Sequence, residues 1–257
     1  MTPVQLDDLA ERDDFRLEWL DTIGSTNDEA MLRATAGDPG RLWLVAAEQT
    51  GGRGRRGRPW SSPPGNLYAS LLLIDPAPMA RLAELGFVAG VAIASAVGSL
   101  DPPAGAFAIK WPNDLVSGGA KFTGLLLETR PIGERLAVAV GFGVNCRSHP
   151  ENLAYPTSDL SAILARDVEP AEIFAPLSKS VAQFLQVWDR GDGFARIRET
   201  WLGFAAGLGK PVRVDMGTRV HEGLFESIDM QGRLVLRSDE GLVRIEAGDV
   251  FLRASAK

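Results

Sequence analysis

Cysteine, histidine and lysine are scarce in this 257-residue chain, and each scarcity excludes some chemistry. A lone Cys146 cannot form an internal disulfide, which suits a reducing cytoplasm. The two histidines, His149 and His221, stand far apart with no second cysteine near either, so a structural zinc site is excluded. No apolar run approaches the roughly 20 residues of a membrane span; the most apolar stretch, 87–97, is far shorter. The acidic N-terminus lacks the basic flank and apolar centre of a secretory signal. At a net charge of −6 there is no whole-chain cationic field for coating nucleic acid. What is present is ordinary globular composition, with 45% hydrophobic and 23% charged residues, enough to build a core.

Residues 1–19 read as an acidic arm leading into a first strand near 15–20. Thr26-Asn27-Asp28-Glu29 fits a capping box, opening a short helix to about Ala34. Strands are expected over 42–47 and 67–74, separated by a loop over 51–65 with five glycines and three prolines. Leu82, Leu85, Ala89, Ile93 and Ala96 recur at helical spacing, so 79–100 reads as a core-facing helix. Strands over 107–111, 122–128 and 136–144 follow, with Gly118-Gly119 as the turn between the first two. Helices over 170–189, where Pro170 suits the first turn, and around 194–204 complete a large domain, 20–206. From Pro211 the pattern changes to short apolar runs punctuated by Asp215-Met216-Gly217, Asp229-Met230-Gln231-Gly232 and Asp239-Glu240-Gly241. Those hairpin signals predict a small all-β barrel, placed at 207–257.

Three segments carry chemistry. The first runs from Glu48 to Trp60 and interleaves four arginines with four glycines over 51–58. Glycine lets backbone approach a ligand, and guanidinium forks onto carboxylate or phosphate. The segment therefore reads as an anion-covering loop, a solvated turn or a nucleic-acid contact. The second is Lys110-Trp111-Pro112-Asn113-Asp114, followed by Lys121-Phe122-Thr123-Gly124-Leu125-Leu126. It places two of the chain's five lysines beside apolar strands, as point charges for something negative. Asp114 suits orienting a lysine, holding a metal ion or capping the turn. In the third, Gly141-Phe142-Gly143-Val144-Asn145, glycines within a strand signal close approach of a ligand or another backbone. Ser25-Thr26-Asn27 is a helix start, a place that also binds small polar groups.

In this order and spacing, the segments resemble the biotin–protein ligase family over about residues 20–255. The resemblance implies an α+β fold: a mixed-sheet catalytic domain like that of class II aminoacyl-tRNA synthetases, then a small SH3-like β-barrel. It implies two reactions. Biotin and ATP give biotinyl-AMP, and a lysine of a carboxylase's biotin carboxyl carrier domain then displaces AMP. The cofactors implied are biotin as substrate, ATP and Mg²⁺, with the metal ligands unspecified.

Carried over residue by residue, the resemblance assigns catalysis to Lys121, Arg55 and Asp114. It assigns biotin binding to Ser25, Thr26, Asn27, Gln49, Gly52, Arg53, Lys121, Gly124 and Leu126. The nucleotide side falls to Arg55, Arg56, Trp60, Lys110, Asn113 and Asn145. Only 24 residues precede Ser25, so no operator-binding domain and no DNA partner are expected. A cytoplasmic protein without a membrane partner is expected, monomer or homodimer. The runner-up is a lipoate–protein ligase of related fold.

Overall fold

The structure, a computed structural model, describes residues 4–217 and 219–252. Its main sheet has the order β1-β2-β3-β8-β7, built from Arg16–Ile23, Leu42–Gln49, Leu67–Ile74, Arg135–Val144 and Thr123–Ile132 respectively. Only β1 and β2 run parallel, joined through helix α2 (Thr26–Thr35), so the sheet is mixed. β3 is buried along almost its whole length because both of its faces are covered. On one face α2 seats Ala30, Met31 and Ala34 against Leu42, Leu44, Leu72, Ala137 and Ala139. The other face carries Trp43, Leu71 and Phe142 into the larger core with α3 (Leu85–Gly98) and α5 (Pro170–Trp188).

The helical stretch Met79–Gly98 begins with a 3₁₀ turn and is 20 residues long, with a mean hydropathy of 1.6 over its most apolar 18 residues. By length and composition it is apolar enough to span a membrane, beyond what the shorter 87–97 run suggests. Its position accounts for the composition, since most of it is buried and it packs against α5 and α6 (Phe194–Phe204).

Four details differ from the sequence reading. The arm contains a helix, α1 (Asp8–Arg12), capped by Asp7 and anchored where the Asp7 N–H donates to Ser178 Oγ at 3.0 Å. The N-cap of α2 is Ser25, accepting from the Asp28 N–H at 3.4 Å, and Glu29 pairs with Arg33 instead of closing a capping box. The 107–121 region is a three-stranded sheet: β4 (Ala108–Lys110), β5 (Asp114–Ser117) and β6 (Ala120–Lys121). Its β5–β6 turn uses Gly118 and Gly119 at φ +56° and +87°, a region that glycine enters without steric cost. A short α4 (Leu160–Leu164) is added, capped by Asp159.

The last five strands are β9 (Pro211–Asp215), β10 (Val220–Ile228), β11 (Leu234–Ser238), β12 (Gly241–Ile245) and β13 (Asp249–Leu252). They form an antiparallel sheet of order β12-β11-β10-β9-β13. Its inward residues, among them Val214, Phe225 and Leu236, join the main core. The indole N–H of Trp111 donates to the Gly232 carbonyl at 3.0 Å and fastens this sheet beside the small one. The ends of the expected β unit and arm, at 253–257 and 1–3, lie outside the described residues.

Candidate active site

A cleft of about 290 Å³ lies between the main sheet, the small sheet, the glycine-rich loop and β13. Its floor is polar and continuous. The Thr26 backbone N–H and hydroxyl both donate to Gln49 Oε1, at 2.8 and 3.0 Å, while Gln49 Nε2 donates to Ser62 Oγ at 3.1 Å. Ser70 Oγ stands 2.7 Å from Thr26 Oγ1 and 2.6 Å from Asn27 Oδ1. Asn27 Nδ2 donates to Glu128 Oε2 at 2.8 Å. The two hydroxyls supply two protons for three oxygen–oxygen contacts, so this floor is rich in acceptors and suits a ligand bearing N–H groups. Gly141 makes the arrangement fit, because a Cβ there would stand 2.5 Å from Asn27 Oδ1.

Beyond the floor the cleft becomes cationic, with Lys110, Lys121, Arg55 and Arg58 among its lining residues. Lys121 Nζ is 2.9 Å from Asp114 Oδ1 and 5.6 Å from the centre of the Trp60 ring. Its backbone is held on two sides, by Val116 of β5 and by Pro156 and Ser158 of the following loop. Among the described residues Lys110 makes no ion pair. Burial lowers its pKa from the ordinary lysine value; Asp114 and Asp249 oppose the shift, while Lys121 and Arg55 add to it. A buried cation without a direct ion pair, facing a cleft, suits a polyanionic ligand.

The loop over these groups is pinned at its root rather than free. Gly54 N–H donates to Arg58 O at 2.7 Å, and Trp60 N–H to Gly52 O at 2.9 Å. Arg53 makes a two-pronged contact with Asp28, at 2.6 and 2.7 Å, and reaches both Glu128 oxygens at 2.9 and 3.0 Å. Those carboxylates raise the Arg53 pKa further, and the Arg53 hydrogen bonds hold Asp28 below the usual carboxylate range. Trp60 lies across Gly124 and Gly143, cross-strand partners whose missing side chains open a slot for its ring. The Trp60 indole nitrogen is buried without a hydrogen-bond partner.

The cleft gathers Ser25, Thr26, Asn27, Gln49, Arg53, Arg55, Trp60, Lys110, Asp114, Lys121, Gly124 and Leu126 from distant parts of the sequence. It does not gather the remaining four. Gly52 supports the loop: a Cβ there would meet Ser62 Oγ at 2.5 Å and Trp60 O at 2.7 Å. Arg56 sits exposed at the loop tip with φ 59°. Asn113 is buried against Gly86 and Gly90 of α3. Asn145 braces the end of β8, donating from Nδ2 to Ser158 O at 3.0 Å, and lines a second cavity of about 520 Å³ that also borders Trp60. Arg53 lines the cleft, but its guanidinium is already engaged by two carboxylates, so its visible work is to hold the loop.

The sequence reading did not single out Ser70, Tyr155, Asp249 or Phe251. Ser70 had a signal, a small hydroxyl in the otherwise apolar run 67–74. Asp249 and Phe251 had none, because only the docking of β13 brings them to the cleft, where Asp249 lies 3.6 Å from Arg58.

The pattern of the Biotin/lipoate A/B protein ligase family matches residues 21–145, and that of the Biotin protein ligase C terminal domain matches 207–253. The chain is 41% identical to a biotin–[acetyl-CoA-carboxylase] ligase of Paracoccus denitrificans, over 88% of this chain and 96% of that relative. A Mycobacterium tuberculosis enzyme of the same name is 29% identical, over 91% and 88%. Among solved structures, the biotin protein ligase of Aquifex aeolicus in complex with biotin and ATP superimposes with a TM-score of 0.77 at 28% identity, covering 93% of this chain and 99% of that one. With its cleft, its fold and these likenesses in agreement, the chain belongs to the biotin–protein ligase family.

Proposed function

We propose that this chain is an ATP-dependent biotin–protein ligase that forms biotinyl-AMP and passes biotin to a lysine of a carboxylase's carrier domain. The observation that carries this is the polarity of one cleft. An acceptor-rich floor suited to a urea's N–H groups leads directly into a cluster of cations suited to a carboxylate and phosphates.

In the first step a carboxylate oxygen of biotin attacks the α-phosphorus of ATP, and the α–β bridging bond breaks to release pyrophosphate. Both reactants are anions, so the barrier is largely electrostatic. Lys121, held in place by Asp114 and its strand, offsets that repulsion. Lys110 and Arg55, which line the same cleft, are the cations that would meet the phosphates. In the second step the acceptor amine attacks the acyl carbon, the acyl–phosphate bond breaks and AMP leaves. Trp60 and the loop exclude water from the mixed anhydride between the steps.

Mg²⁺ bound with nucleotide needs only one or two protein carboxylates. Asp114 and Asp249, the carboxylates lining the cleft, fit that donor set and would hold it; bound there, it supplies charge neutralisation of the phosphates. We place the functional division near residue 207, with the C-terminal sheet contributing Asp249 and Phe251 to the cleft. The free Cys146 thiol suits a cytoplasmic setting.

Pyrophosphate–ATP exchange, with biotin, lipoate or octanoate as the only acid supplied, tests the reading. Exchange is expected with biotin alone. Exchange driven by lipoate or octanoate, and not by biotin, would overturn it in favour of a lipoate ligase.

A further inference from the structure

Glu128 sits where the polar floor and the covering loop meet. One of its oxygens accepts from Asn27 Nδ2 at 2.8 Å, and the Arg53 guanidinium binds both, at 2.9 and 3.0 Å. An ionised carboxylate accepts hydrogen bonds and cannot donate them. The Asn27 amide is therefore fixed with its NH₂ towards Glu128 and its Oδ1 towards Ser70 and Gly141. The Leu126 carbonyl, 3.4 Å from the same nitrogen, enforces the same orientation. Asn27 is 4% exposed, so water cannot satisfy the amide in its flipped state. With Oδ1 inward, the floor demands a donor from the ligand. Flipped, the amide would present N–H groups and repel one.

We propose that Glu128 is a positioning and specificity-determining residue for the acid substrate. By orienting the Asn27 amide, it makes the floor select a head group carrying ring N–H donors over a sulfur heterocycle or alkyl chain without them. This rests on the biotin reading above and adds to it a residue outside the set that touches the ligand. Arg53 gives the same carboxylate a second task, coupling the loop root to the floor.

Glu128→Gln tests the proposal, because glutamine keeps the size and supplies either a donor or an acceptor to Asn27. Calorimetry would compare biotin with tetrahydrothiophene-2-pentanoate, which keeps the sulfur ring and acid chain but lacks the urea. Loss of an oriented polar contact predicts biotin binding weakened by about tenfold or more, with the urea-free acid changed by less than about twofold because Asp28 still holds Arg53 and the loop root. Equal weakening of both acids would make Glu128 a general structural support and overturn the proposal, as would unchanged biotin binding. Arg53→Gln separates the two tasks: it removes the guanidinium that ties the loop root to Glu128 and Asp28 but leaves the Asn27–Glu128 bond, so it should weaken both acids alike. If Arg53→Gln reproduces the selective loss, discrimination runs through the loop and the assignment through Asn27 fails. Wild-type protein that binds both acids equally well would instead refute the biotin reading itself, and this assignment with it.

Discussion

Replacing Gly143 with alanine puts a methyl group into the Trp60 ring. The added Cβ would stand 2.6 Å from the indole nitrogen, 2.7 Å from Cε2 and 2.9 Å from Cζ2. Comfortable contacts between such atoms begin near ~3.5 Å, so the ring must retreat by about 1 Å. The ring already lies against Gly124, the cross-strand partner of Gly143, where only the absence of a Cβ (it would stand 2.8 Å from the ring) makes room for it. The ring must lift, and it takes with it the loop root to which the Trp60 backbone N–H is bonded and the face it presents to Lys121. A displacement of that size at a reacting site costs about 100-fold in rate. The strand itself gains about 0.5–1 kcal/mol from replacing glycine, which offsets part of the lost ring packing and leaves the melting temperature nearly unchanged. Biotin-dependent pyrophosphate exchange, measured beside thermal unfolding, reads both effects. Gly203→Ala in the last turn of α6 is the control, since its Cβ would meet nothing within 4 Å. It should leave exchange unchanged and stabilise by up to about 1 kcal/mol. A folded Gly143→Ala enzyme exchanging within about threefold of wild type would refute the role given to the Trp60 slot.

Lys121→Ala should lower adenylation by at least about 100-fold through loss of one preorganised charge. It should also destabilise the protein by about 1–3 kcal/mol, because Asp114, only 10% exposed, is left without its partner; a folded Lys121→Ala protein with near-normal biotinyl-AMP formation would identify the wrong lysine. Asp28 is held below the ordinary carboxylate range by Arg53, so its contribution to the latch is present above about pH 4 and lost as pH falls through the lower folded value. Hydrogen exchange at residues 53–58, corrected for intrinsic rates, should therefore rise in acid, and a flat profile down to pH 2 would remove the latch. The Lys110 pKa is lowered as well, but for a cation that shift is a cost: its burial costs stability at neutral pH, and because the unfolded chain binds more protons as the group titrates, the cost shrinks as pH rises towards 10.5. Lys110→Met should raise the melting temperature while weakening ATP binding, and calorimetry of ATP binding in buffers of different ionisation enthalpy should show proton uptake in alkaline solution only when Lys110 is present.

Local patterns in the chain were enough to place several elements. The apolar run 67–74 and the Pro170 start gave β3 and α5 because burial on both faces and a favourable first turn are properties of neighbouring residues. The glycine–arginine loop and the two flanked lysines were likewise visible as local clusters of charge, and the fold brings them to one cleft. Pairing across distance was not legible. The three short strands over 108–121 depend on mutual hydrogen bonds and on the packing of Asn113 against α3, which no local period encodes. Arg53 read as a hand for the ligand's carboxylate, but folding brings Asp28 and Glu128 to it from 25 residues before and 75 after, so its charge holds the loop. Asp249 and Phe251 reach the cleft only because Trp111 and the core beneath it fasten the last sheet there. The residue types thus determined which chemistry the chain can perform. Tertiary structure decided which of those charges remain free to perform it, because an ion pair between remote residues forms only once the fold has brought them within reach.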